Sequence, residues 1–70
     1  MRILVVVERT GTGYAAYCPD LPGCIATGES QSAVEATMRD AIEFHLEGMR
    51  AEGLDVPEPH TYGTMVEVPA

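Results

Sequence analysis

The chain has 70 residues, with eleven acidic and four basic side chains and a formal charge of −7. A chain this short makes one small domain and buries only roughly 60% of the surface its unfolded form exposes. Its basic residues, Arg2, Arg9, Arg39 and Arg50, are scattered singly, which argues against the clustered positive charge of a nucleic-acid surface and favours solubility and a basic partner.

Residues 3–7 read Ile-Leu-Val-Val-Val. The β-branched content predicts a strand, and both of its faces are apolar. One helix covers only one face of a sheet, so the second face points to another copy of the chain and hence to a homodimer or higher homo-oligomer. This aliphatic run is shorter than the about 7–15 residues of a secretory h-region. No run reaches the about 20 apolar residues of a membrane-spanning helix. A cytoplasmic protein that keeps its thiols reduced is expected.

The segment from Glu8 to Gly13 reads as a turn, with Gly11 and Gly13 free to adopt positive φ. A phosphate-loop reading of these glycines needs a helix next, and strand-like Tyr14 to Cys18 follows instead. Pro19-Asp20-Leu21-Pro22-Gly23 is a second turn. Pro22 and Gly23 suit the two central positions of a type II turn. Residues 24–27 read as a third strand, ended by Gly28.

One helix is predicted, from about residue 31 to about residue 52. Ser30 is a candidate N-cap, and Ser32 with Glu35 forms a rival capping box. Val34, Met38, Ala41, Ile42, His45 and Met49 recur at helical spacing as an apolar stripe. Glu35, Arg39, Glu43, Glu47 and Arg50 are read as the opposite, polar face. Gly53 suits the position that stops the helix. Residues 54–60 carry Pro57 and Pro59 and link onward. Residues 64–68 alternate, with Val66 and Val68 on one side and Met65 and Glu67 on the other, which predicts a last strand. The expectation is an α+β fold, a small antiparallel sheet with one helix packed on it in the order β-β-β-α-β, as a single domain over residues 1–70.

His45 is the sharpest candidate for chemistry, because it interrupts the apolar stripe. A general base needs a nucleophile and an orienting group converging on it, and no such set is spaced along this chain. Cys18, Cys24, His45 and His60 equal a zinc site in number, but their spacings are not those of a zinc signature. A core histidine with a hydrogen-bond partner is the favoured reading. Cys18 and Cys24 are close enough for a disulfide, which is uncommon in the cytosol, and Cys24 is read as a small packed hydrophobe. Asp20 in its turn is expected to bond to nearby backbone N–H groups. The helix carboxylates read as a solvated surface or a contact for a basic partner. No catalytic, cofactor-binding or metal site is expected, and the protein is not read as an enzyme.

The stretch Tyr14-Ala-Ala-Tyr-Cys-Pro-Asp-Leu-Pro-Gly-Cys-Ile-Ala-Thr-Gly28 resembles the signature of the HicB antitoxin family, G-Y-x-A-x-x-P-D-L-P-G-C-x-x-x-G followed by a helix. Gly13, Tyr14, Ala16, Pro19, Asp20, Leu21, Pro22, Gly23, Cys24 and Gly28 match it. The helix segment Ala41-Ile-Glu-Phe-His-Leu-Glu-Gly-Met49, His45 included, also resembles the family's, as do Glu52-Gly53 and Val56-Pro-Glu-Pro59. The resemblance implies a truncated ribonuclease H-like domain without catalytic carboxylates. It also implies a HicA-type toxin as partner, a small basic mRNA-cleaving ribonuclease that HicB proteins bind and neutralise. Glu35, Glu43 and Glu47 are the candidate contacts for so basic a protein. The family's usual C-terminal DNA-binding segment has no counterpart in these 70 residues, so a solitary HicB-like domain is expected, without operator binding of its own. The alternative is a stand-alone HicB-like domain with no toxin, binding a small ligand or another protein.

Overall fold

Three short strands and one long helix appear in the computed structural model, which describes residues 1–70: β1 (Val6–Arg9), β2 (Tyr14–Tyr17), β3 (Ile25–Gly28) and α1 (Gln31–Ala51). The strands form one antiparallel sheet in the order β1-β2-β3. Val7 pairs with Ala16, and Ala16 in turn with Ala26. These three side chains therefore point to one face, and α1 packs there, mainly over β3 and β2 and only lightly over β1. The buried core is Ala16, Cys18, Leu21 and Cys24 from the sheet side and Val34, Met38, Ile42 and Leu46 from the helix. The helix contribution recurs every four residues, as one stripe of an α-helix must. A Val, Met, Ile or Leu side chain fully buried this way contributes roughly 1.5–3 kcal/mol.

Both helix ends are closed by the residues expected of them. Ser30 accepts from the Ala33 N–H at 3.1 Å. It is thus the N-cap, and the rival start at Ser32 is not used. At the other end Gly53 has φ 72°. Its N–H reaches the Arg50 carbonyl at 3.1 Å, and the Leu54 N–H reaches the Met49 carbonyl at 2.8 Å. These are the two bonds of a Schellman ending.

Several boundaries differ from the sequence reading. β1 begins at Val6, not at Ile3, because its partner β2 ends at Tyr17 and the chain then turns away; Ile3, Leu4 and Val5 have no ladder beside them. Glu8 and Arg9, read as turn, instead pair with Ala15 and Tyr14, and the tight turn is confined to the segment closed by the 2.8 Å bond from Thr10 N–H to the Gly13 carbonyl; neither Gly11 nor Gly13 takes the positive φ expected of it, and Gly13 is instead the point where the Gly28 backbone comes too close for a side chain. The last strand over residues 64–68 is not formed. Met65, Val66 and Val68 are 97%, 74% and 68% exposed. Alternation specifies which way a strand's side chains face, but a strand also needs an edge to bond to, and in this chain the segment projects away from the sheet. The observed order is β-β-β-α.

Candidate interaction site

The loop between β2 and β3 is built from short backbone bonds. The Leu21 N–H donates to the Cys18 carbonyl and the Cys24 N–H to the Leu21 carbonyl, both at 3.1 Å, while the Cys18 N–H returns to the Cys24 carbonyl at 3.2 Å. Residues 21–24 therefore form a turn closed from first to fourth residue. Gly23 sits at its third position with φ 84°, the geometry of a type II turn. Leu21 is 1% exposed and plugs the core. Pro19, Pro22 and Gly23 face solvent, and Cys18 and Cys24 are buried free thiols. Burial pushes the Cys24 thiol pKa up, with the neighbouring Cys18 adding to the effect.

Asp20 is the buried polar residue of this loop, and its partners lie about forty residues away. One carboxylate oxygen, Oδ2, accepts from the backbone N–H of His60 at 3.1 Å and of Thr61 at 3.2 Å. The other, Oδ1, accepts from the Thr61 hydroxyl at 2.6 Å and lies 3.2 Å from His60 Nε2. The Thr61 hydroxyl, then the two backbone N–H groups, hold the Asp20 pKa below its ordinary 3.8 against the opposing effect of burial. The sequence reading expected Asp20 to bond within its own turn. The structure makes it a clasp that ties down the C-terminal segment. The sequence gives no sign of Thr61, and it offers His60 only as a zinc ligand of the wrong spacing, since nothing local links either residue to Asp20. With its oxygens occupied by these donors, the carboxylate is engaged in holding the chain rather than free for proton transfer.

The second feature is a groove of about 820 Å³ between β1 and α1. It exists because the helix lies over β2 and β3 and leaves the inner face of β1 uncovered. Ile3, Val5 and Val7 line it from the sheet side and Met38, Ile42 and Leu46 from the helix. Glu35, Glu43 and Glu47, with Arg39 and Arg50, line it as well. These charged residues therefore flank the apolar stripe at the groove and are not on the face opposite to it. A helix that packs on one side only leaves its lateral flank, and not just its back, open to solvent.

Tyr14 and Gly28 are half-buried and pair across β2 and β3. A Cβ on Gly28 would come within 2.8 Å of the Val34 backbone nitrogen, so this position lets the first helical turn lie directly on the strand. His45 is half-buried on the margin of the stripe, where Leu46 takes the deep position. The expected core histidine with a buried partner is not observed, because 3.6-residue periodicity leaves the difference between a stripe's centre and its border to the packing of neighbouring strands. No cluster of three or more His, Cys, Asp or Glu is close enough to hold a metal ion.

A three-stranded antiparallel sheet under one helix, with its buried carboxylate turned inward to bind its own chain, defines a small two-layer α+β domain. The family described as HicB_like antitoxin of bacterial toxin-antitoxin system matches residues 3–70, and the chain belongs to that family. It is 35% identical to the protein named Antitoxin HicB 2 from Photorhabdus laumondii, over all of this chain and 51% of the relative. It is 29% identical to an uncharacterized 14.9 kDa protein of Haemophilus phage HP1, over 93% of this chain and 49% of the relative. The chain thus spans about half the length of each of these two relatives. Among solved structures, a chain of the HicA3 and HicB3 toxin-antitoxin complex has the same fold, with a TM-score of 0.67 and 24% identity, over 84% of this chain and 72% of that one.

Proposed function

We propose that this chain is a HicB-like antitoxin domain that binds a basic HicA-type mRNA-cleaving ribonuclease, and that it neutralises the toxin by covering it rather than by any chemistry of its own. The observation that carries this reading is the family membership over residues 3–70. The naming of one relative as an antitoxin, and of a fold neighbour as part of a HicA and HicB complex, supports it. The formal charge of −7 and the three carboxylates at the groove supply the complementarity that draws in a basic partner and speeds its encounter. In this reading Glu35, Glu43 and Glu47 meet the toxin. The signature residues Tyr14, Pro19, Asp20, Leu21, Pro22, Gly23, Cys24 and Gly28 hold the scaffold that presents them, and His45 borders the presenting stripe. The role is regulatory and non-enzymatic, and its place is the bacterial cytoplasm, where toxin and mRNA meet; no helix is long and apolar enough to cross a membrane.

The test is an RNA-cleavage assay with a purified HicA-type toxin and this 70-residue chain. Added chain is expected to suppress cleavage at stoichiometric ratio. The E35Q/E43Q/E47Q variant is expected to bind at least tenfold more weakly at low salt, with a flatter salt dependence. Full suppression by the variant at every salt concentration rules out the carboxylate surface. No suppression by the parent chain favours the stand-alone domain with a different partner.

A further inference from the structure

We propose that two copies of this chain exchange their C-terminal arms, residues 64–68 of each adding as a strand to the free edge of β1 in the other. Three observations meet here. First, β1 bonds only to β2, so its outer edge presents unpaired backbone N–H and C=O groups, continued by the unladdered Ile3, Leu4 and Val5. Such an edge is a template for another strand. Second, the groove beside that edge is lined by apolar side chains of β1 and α1 and lacks a covering layer. Third, the arm has the alternating pattern of a strand and the exposure of an unfinished one, with Met65, Val66 and Val68 all open to solvent.

The arm's root explains why a second copy is the occupant. Asp20 grips the backbone of His60 and Thr61, and Gly63 passes beside Leu4, where an added Cβ would stand 3.7 Å from Leu Cδ1. From this anchored point the arm runs into solvent rather than along its own β1. It contributes to an overall length of 49 Å, which a 21-residue helix of about 31 Å does not account for. Residues 64–68 extend about 16 Å at about 3.3 Å per residue, the length of the edge from Ile3 to Val7. Laid there, Val66 and Val68 face the groove beside Val5 and Val7, and neither brings a charge into it. A two-fold arrangement fills both edges with both arms and closes the assembly at two copies. The helix carboxylates stay at the rim, so the proposal does not depend on the antitoxin reading and its test needs no toxin.

The test is sedimentation velocity of the 70-residue chain at micromolar concentration, with amide exchange of residues 64–68 measured on the same sample. The expected result is a species of twice the 7.5 kDa chain mass with protected arm amides. Val66→Pro with Glu67→Pro removes one backbone donor from each side of the arm, so one loss falls on the side that faces β1 whatever the register. It is expected to give a monomer whose helical circular dichroism is unchanged, since the arm takes no part in the core. A parent monomer with unprotected arm amides overturns the proposal. So does a parent monomer with protected ones, which places the arm on its own edge. A dimer that survives the double proline variant assigns the contact to another face and overturns it too.

Discussion

At Gly23 an added methyl group would meet no atom within 4 Å, yet the backbone holds φ at 84°. The demand for glycine is therefore conformational and not a matter of space. Gly23→Ala is expected to cost about 1–2 kcal/mol, because an L-residue crowds its own carbonyl there, which lowers the melting temperature by roughly 4–8 °C per kcal/mol in a domain of this size. Gly23→Asn should lose less, since asparagine tolerates this region. Thermal melts of the two variants decide the matter, and equal losses count against a backbone cause. Cys24 makes the opposite demand. Its thiol is buried in the apolar cluster and its pKa is raised, so it stays protonated at neutral pH and reacts slowly with alkylating agents. Cys24→Ala is expected to be mild and Cys24→Ser to cost roughly 1–3 kcal/mol where the hydroxyl finds no partner. Neither a chelator nor a reductant should shift the melting temperature of the unmutated chain. A large drop with either reagent would sink the packing account.

Between elements, the clasp from the β2–β3 loop to the C-terminal segment sets an acid limit on the fold. The Asp20 pKa is lowered from 3.8 in the folded chain, chiefly by the Thr61 hydroxyl. A group whose folded pKa is depressed adds stability that is present above its unfolded value and disappears as pH falls through the folded one. The clasp is thus intact at neutral pH and fails in the window extending downward from about 3.8. Denaturation midpoints measured between neutral pH and strong acid should fall in that window for the parent chain. In Asp20→Asn the midpoint should already be lower at neutral pH and its fall on acidification should be shallower. An unchanged pH profile in that variant removes Asp20 as the cause. Amide exchange at His60 and Thr61 should accelerate in the same window, because those two N–H groups donate to the carboxylate.

For the molecule as a whole, the charge of −7 and the separation of its four arginines govern what it can approach. Arg39 and Arg50 stand among Glu35, Glu43 and Glu47 at the groove, where nearby carboxylates offset them, and no basic stripe results. The chain alone is expected to show no saturable binding to a labelled DNA or RNA duplex at low ionic strength, the condition that strengthens any electrostatic attraction. Saturable binding there overturns the reading. The sheet face away from the helix adds a second feature of the whole: Val6, Tyr17 and Ile25 form one cross-strand row on it, and Ile25 is 72% exposed. Residues 3–7, only the last two of which belong to β1, are apolar on both sides and half-buried throughout.

Local chemistry was enough to read three antiparallel strands, two turns and one helix. Each depends on residues near one another in the chain: Gly23 and Gly53 at positive φ, a serine side chain reaching three residues ahead, and apolar groups four apart on one stripe. The Pro22-Gly23 turn, the Ser30 cap and the Gly53 stop could be read for this reason. What the sequence left open was everything that depends on which surfaces meet. Asp20 found donors about forty residues away because the non-helical segment after α1 folds back and brings His60 and Thr61 to the loop. His45 was moved to a border, and Leu46 to the centre, by where β2 and β3 lie under the helix. Glu35, Glu43 and Glu47 came to flank a groove because the helix covers two strands of three. The pattern of residues 64–68 is that of a strand, but only an edge of the right length makes it one, and within this chain the arm has not taken its own. Side-chain periodicity records a preference for a face; tertiary packing decides what that face touches.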